Sequence, residues 1–402
     1  MHHPDELYAL WLQQACGIAS TVYLKLFTRF SSCREIYDCT DYSFLDGKHR
    51  CEKQLRDKDL STAYELQKRL HASEIHVLTY YDDRYPDSLR LIQAPPAVLY
   101  AIGDLRDLNK ITGVAIVGTR KMTPYGASVA EDFAKRLTLA GAVVISGLAK
   151  GIDTCAHRGA FRAQGYTVAV LGTPIDEIYP KENAKAFHAM YKSGLVISEM
   201  YPGCKRTKGD FPNRNRIISG LSKAVLVVEA GETSGALITA RHAVYQNKPV
   251  FAVPGTLGDV HAGTNALLKN GARFATSPAD ILAELAMEHP TEIHPENLHL
   301  SKQVYARGNV IHTTDEDEPF PEIHELPVAP EPTIPTVCKE CPPPEEGSLA
   351  ERICGFLKNR AMSADELSLQ LGVGISDLLG ELTELEIEGK VQSLAGNRFT
   401  CI

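Results

Sequence analysis

The sequence predicts an α/β protein built on a doubly wound, mainly parallel sheet, with a small helical domain before it and a second helical domain after it. Between residues 113 and 286, six short apolar runs recur with room for a helix between each pair. None of them alternates polar with apolar residues, so each strand must be covered on both faces. On either side the hydrophobic period changes to that of helices. A chain of 402 residues is also too long for one compact domain.

Residues 1–60 read as short helices. The segment GIASTVYLKLFTRFSSCREIY (17–37) holds a glycine turn, an amphipathic helix and a second helix start. It is similar to a SAM or helix-hairpin-helix unit, whose turn can offer backbone N–H groups to DNA phosphates. A packing or protein-contact role fits the same segment equally well. Residues 61–112 read as a bridging segment with one helix near 62–72.

The six runs are VAIVG (114–118), VVISG (143–147), VAVLG (168–172), LVISE (195–199), AVLVVEA (224–230) and PVFAVPG (249–255). Together they make residues 113–286 a Rossmann-like core. Residues 287–347 are rich in Pro and Glu without periodicity, and read as an extended acidic linker. In 348–402, three helical stretches end in the hairpin-like VQSLAGNRFT, the pattern of a winged helix. Ser363 and Glu366 there have capping-box spacing.

The net charge is -8, but it is unevenly distributed. Residues 111–286 carry 20 Lys and Arg against 13 Asp and Glu, whereas 287–347 carry 3 against 13. A basic core followed by an acidic tether is compatible with an anionic polymer as partner. No apolar run reaches the roughly 18 residues that span a bilayer, and no signal peptide is visible, so a cytoplasmic location without membrane contact is expected. Of the ten cysteines, Cys338 and Cys341 alone form a CxxC pair, and two further zinc ligands at matching spacing are not evident.

In a doubly wound sheet, ligands bind beyond the carboxyl ends of the strands. After the first run comes GTRKMTPYG, where Gly118 and Thr119 make a tight turn and Arg120 and Lys121 supply charge. It is not GxGxxG, so a nicotinamide cofactor is disfavoured and no cofactor is expected. After the second run, Gly147 and Gly151 bracket Lys150. Asp153 and His157 follow at helical spacing, either as an acid/base or metal pair or, as is commoner, as partners of their own loop.

The segment KGDFPNRNRIISGLS gathers Lys208, Arg214 and Arg216 around Phe211. Guanidinium groups suit phosphates and an exposed ring suits a base, which is what sequence-tolerant single-strand binding needs. Few acids lie nearby, which favours binding over internal ion pairs. Thr233, Ser234 and Gly235 precede a helix and offer an anion site. Lys248, Asn265 and Lys269 are expected to close the same rim. No Walker GxxxxGK[ST], HExxH or GxSxG motif is present.

The ordered set GTRKMTPYG, GLAKGIDTCAH, FPNRNRIISGLS, SGALITARHAV, VFAVPG and GTNALLKNGA closely resembles the DNA-processing protein A family (DprA, also called Smf). The resemblance implies a non-enzymatic mediator that binds incoming single-stranded DNA during natural transformation, protects it and loads RecA, working as a homodimer. It places Arg120, Lys208, Phe211 and Arg214 in the DNA pocket, with Lys248 and Lys269 as further candidates. Three departures are Thr119 in place of the usual serine, Lys248 in place of the usual arginine, and Met200-Tyr201-Pro202-Gly203 where a Pro-Pro-Gly is common. The alternative is a nucleotide-cleaving phosphoribohydrolase on a related core. Such enzymes carry PGGxGTxxE, and EAGETSGALITA lacks the downstream acid. The third winged-helix segment, ISDLLGELTELEIEGK, carries five acids before its lysine. Phosphate repulsion makes it a protein-contact module rather than a duplex reader.

Overall fold

The computed structural model describes residues 4–45, 51–207, 209–297, 349–357, 362–371, 373–387, 390–394 and 398–401. The chain forms two compact units, Met1–Phe320 and Pro321–Ile402.

The first unit opens with helices α1 (Glu6–Cys16), α2 (Val22–Arg29), α3 (Cys33–Asp38), α4 (Cys51–Arg56) and α5 (Ser61–His71). Leu10, Leu12, Leu26, Ile36 and Leu55 are fully buried among them. Gly17 ends α1 at φ +78°, a conformation that favours glycine. The turn does not save its N–H groups for phosphates. The Ala19 N–H donates to Glu199 Oε1 at 3.1 Å, and Gln13 Nε2 donates to the Glu199 carbonyl at 2.9 Å. The hairpin therefore docks onto the sheet region of its own unit.

The segment expected to be a bridge supplies two strands, β1 (His76–Thr79) and β2 (Val98–Gly103), around the short α6 (Asp87–Arg90). β1 pairs antiparallel with β2, and β2 pairs antiparallel with β6, Tyr100 opposite Ser198. Their apolar runs are short, and the Asp/Pro turns between them masked the pattern.

All six predicted strands form: β3 (Gly113–Val117), β4 (Val143–Ser146), β5 (Thr167–Leu171), β6 (Leu195–Ser198), β7 (Ala224–Val227) and β8 (Val250–Ala252). Every residue of β3 and β5 is buried, as two covered faces require. The intervening helices are α7 (Pro124–Leu139), α8 (Ile152–Arg162), α9 (Ala184–Ser193), α10 (Asp210–Leu221) and α11 (Ala236–Tyr245). After β8 come α12 (Ala262–Lys269), β9 (Arg273–Phe274) and α13 (Pro278–Glu288). The strand order is β1-β2-β6-β5-β4-β3-β7-β8-β9, parallel from β6 to β9. The order reverses at β3, so the crevice of the doubly wound sheet opens between β3 and β7.

The start of the predicted linker packs on this unit, since the His294 N–H donates to the Ala140 carbonyl at 2.8 Å. The rest of the linker, with Cys338 and Cys341, lies outside the described residues.

The second unit is the expected winged helix: α14 (Leu349–Leu357), β10 (Met362–Ser363), α15 (Ala364–Leu371), α16 (Ile375–Ile387), β11 (Val391–Leu394) and β12 (Arg398–Cys401). Its antiparallel sheet has the order β10-β12-β11. The capping box forms: the Ser363 N–H donates to Glu366 Oε2 at 2.9 Å and the Glu366 N–H to Ser363 Oγ at 3.2 Å. No helix among the described residues is long and apolar enough to cross a membrane.

Candidate nucleic-acid interface

The carboxyl ends of the parallel strands present a row of loops, and the loop after β3 sits at its centre. Gly118 has no room for a side chain: a Cβ there would lie 2.6 Å from Ile152 and 2.9 Å from the Glu229 carbonyl. The Thr119 N–H donates to that carbonyl at 2.7 Å, and its hydroxyl accepts from the Lys121 N–H at 3.1 Å. These bonds turn the chain outward, leaving Arg120 and Lys121 exposed. Thr123 then caps α7, accepting from the Gly126 N–H at 3.1 Å.

The loop after β4 nests against it. Gly151, at φ +92°, lies so close that a Cβ would come within 2.4 Å of the Thr119 carbonyl oxygen and 2.9 Å of Arg120 Cα. Lys150 is exposed beside it. Asp153 and His157 hold the local structure together. Asp153 accepts from the Gly147 and Ala149 N–H groups at 3.1 and 3.4 Å, so the Gly147 amide is not left for phosphate. His157 Nδ1 sits 2.8 Å from the Thr167 hydroxyl. Burial, reinforced by the charge of Arg214, lowers the His157 pKa to about 3.

Helix α10 separates its residues into two roles. Phe211 lies at the open end, half-buried against Gly172. The Arg120 guanidinium lies over its ring at 5.4 Å from the centroid, and the ring of Tyr179 is 5.5 Å away. One turn further in, Arg214 is buried and donates to the Gly147 carbonyl at 2.8 Å and to the Val170 carbonyl. Burial lowers its pKa to about 10, with Asp153 opposing that shift. Arg216 is committed to Glu199, donating to both carboxylate oxygens at 2.8 and 2.7 Å, with Nε on the Ala94 carbonyl at 2.9 Å. Only 5% of either side chain is exposed.

Arg214 and Arg216 are therefore structural residues and not phosphate ligands. Lys208 lies outside the described residues.

On the far side of the crevice, Thr233 and Gly235 are exposed, while the Ser234 hydroxyl accepts from the Ala236 N–H at 3.4 Å. The next two amides of α11 are paired as well, the Leu237 N–H with the Ser234 carbonyl at 3.0 Å and the Ile238 N–H with the Gly235 carbonyl at 3.2 Å. Asn265 serves its own loop: its amide donates to the Gly255 carbonyl at 3.2 Å and accepts from the Gly255 N–H at 3.2 Å. Lys269 is exposed at the end of α12.

Lys248 does not close this rim. It precedes β8 and so belongs to the amino ends of the strands, where it donates to the Ser219 and Gly220 carbonyls at the end of α10, at 2.8 and 2.5 Å. Burial lowers its pKa to about 7.

Two carboxylates organise the site. Glu229, which follows β7 and is fully buried, accepts from the Thr123 N–H and hydroxyl, both at 2.8 Å. Glu199, which follows β6, anchors Arg216 and the N-terminal hairpin. Each is an acid within two residues of the end of a buried strand, and that placement is the sequence signal that would have found them.

Comparisons with known proteins show what the chain is similar to. The model of the DNA recombination-mediator protein A family matches residues 76–286, and that of the DprA winged helix domain matches 339–397. The chain is 43% identical over 212 residues to the DNA processing protein DprA of Bacillus subtilis, covering 52% of this chain and 71% of that one. It is 30% identical over 416 residues to the protein Smf of Synechocystis, covering 99% of each. The X-ray structure of DprA from Streptococcus pneumoniae superposes with a TM-score of 0.53 at 38% identity, covering 58% of this chain and 81% of that one.

Proposed function

The chain belongs to the DNA recombination-mediator protein A family, and from that premise we propose that it binds single-stranded DNA in the cytoplasm, shields it, and loads RecA onto it during natural transformation. The observation that carries the reading is the group formed by Arg120, Lys121, Lys150 and Phe211. The three cations are exposed on the loops after β3 and β4, none in an ion pair among the described residues, and one of them, Arg120, lies over the ring of Phe211. Cations that follow a backbone beside a ring that accepts any base suit sequence-tolerant single-strand binding.

The role proposed is not catalytic. Asp153, His157 and Glu229 are each engaged in holding loops, which supports binding over nucleotide cleavage. The working unit is proposed to be a homodimer formed through the core, where β9 leaves the sheet edge open with Phe274 61% exposed. The acidic α16 suits a protein partner better than duplex DNA.

Fluorescence anisotropy of labelled oligothymidylate against matched duplex, across a salt series, tests the binding. Salt-sensitive preference for the single strand is the expected result, and equal or better duplex binding would overturn it. RecA filament assembly on strands precoated with a single-strand-binding protein tests the loading. Light scattering tests the dimer.

A further inference from the structure

The rim continues past Arg120 to a second aromatic feature that the site described above does not use. Tyr125, in the first turn of α7, has half its surface exposed. It walls an open pocket of about 540 Å³ with Pro254, Gly255, Thr256 and His261. The imidazole of His261 forms the floor, edge-on to Tyr125 with ring centroids 6.1 Å apart. Only 10% of its side chain is exposed, and Nε2 faces the Glu229 carboxylate at 3.8 Å. Its Nδ1 is buried without a hydrogen-bond partner among the described residues. Gly255 keeps the ring in place and the pocket open, since a Cβ there would come within 2.3 Å of that nitrogen.

A ring face, small polar lining atoms and an unpaired buried nitrogen suit a flat heterocycle with hydrogen-bonding edges. The surrounding charge says which part of a nucleotide enters. Glu232 and Asp259 are exposed on this flank, so it repels phosphate. We propose that the pocket of Tyr125 and His261 is a second base-binding subsite, which takes one base of the same single strand whose backbone Arg120 and Lys121 hold. This rests on the single-strand reading above.

The sheet sets the spacing between the two rings. Phe211 packs against Gly172, just after β5, and the pocket borders the loop after β8, four strand positions along the order β5-β4-β3-β7-β8. At about 4.8 Å per strand this is roughly 19 Å, or about six nucleotides of a stacked strand at ~3.4 Å each. A short oligonucleotide reaches one subsite, and a longer one spans both.

The test is a length series by anisotropy, with four- and eight-nucleotide oligothymidylates at two salt concentrations. Tyr125→Ala is expected to bind the longer strand about tenfold more weakly, close to the wild-type affinity for the shorter one. Its salt slope should be unchanged, because no phosphate contact is lost. Tyr125→Phe should bind like wild type, since a stacking face is all that is asked of the ring. Wild-type affinity of Tyr125→Ala for both lengths, or a reduced salt slope, would overturn the subsite. If Arg120→Ala also binds as wild type, the single-strand reading itself fails, a result separable from loss of the Tyr125 effect alone.

Discussion

The loop after β3 and helix α10 each carry two cations close together, and the two pairs behave in opposite ways. Arg120 and Lys121 stand on a loop whose own backbone bonds push it outward, with solvent beyond them. Arg214 and Arg216 stand on a helix packed over the sheet, and carbonyl oxygens or a carboxylate meet them before any ligand can. Composition gives both segments the same basic character. What separates them is whether a buried acceptor lies within reach of the guanidinium. A cation on a covered helix is recruited by the fold, and one on a strand-end loop is left for a partner.

The largest expected effect breaks the interior half of this comparison. Arg216→Ala removes one partner of a buried, hydrogen-bonded pair and strands Glu199, at a cost of about 3–5 kcal/mol. Urea unfolding should show the loss as a lower midpoint. Any folded fraction should keep the wild-type salt slope for single-stranded DNA. A stable variant with a flattened slope would show that Arg216 reaches phosphate after all.

Two smaller effects sharpen the exposed half. Phe211→Ala should weaken binding to oligothymidylate by about 1–3 kcal/mol through lost stacking, read by anisotropy. Arg120→Ala should weaken binding across all sequences and lower the salt slope by about 0.7, the value for one single-strand phosphate. Its unfolding midpoint should not move, because the side chain is exposed. The two variants differ in kind: one loses base contact at constant salt dependence, the other loses charge.

The six parallel strands and the winged helix were legible because continuous apolar runs and helical periods are local signals. The strands β1 and β2 were not, because an antiparallel addition at the sheet edge leaves only a short run between turns. In the site, Arg120, Lys121, Lys150 and Phe211 fall where the strand-end rule puts them. The role of Arg216 was hidden because its partner, Glu199, lies 17 residues earlier in the chain just after β6, outside the acid-poor segment around the helix. Nor does any local pattern report which helix end a lysine reaches, which is why Lys248 was expected on the wrong side of the sheet.

Lys248 therefore supplies the smallest expected effect on binding, which is none. Its ammonium group lies at the amino ends of the strands, with the sheet between it and the rim, so Lys248→Gln should leave oligothymidylate affinity and salt slope unchanged. The consequence appears in stability instead. Burial lowers the folded-state pKa to about 7, against about 10.4 for an unperturbed lysine. Between those values the unfolded chain holds the proton more tightly than the folded one. Stability contributed by this group therefore rises as pH rises through that window, and is lost as pH falls toward 7. Urea midpoints at pH 7 and 9 should show a rise in the wild type that Lys248→Gln reduces. A flat wild-type profile would mean that the carbonyls of Ser219 and Gly220 hold the lysine charged at the end of α10, and a drop in DNA affinity would return it to the rim.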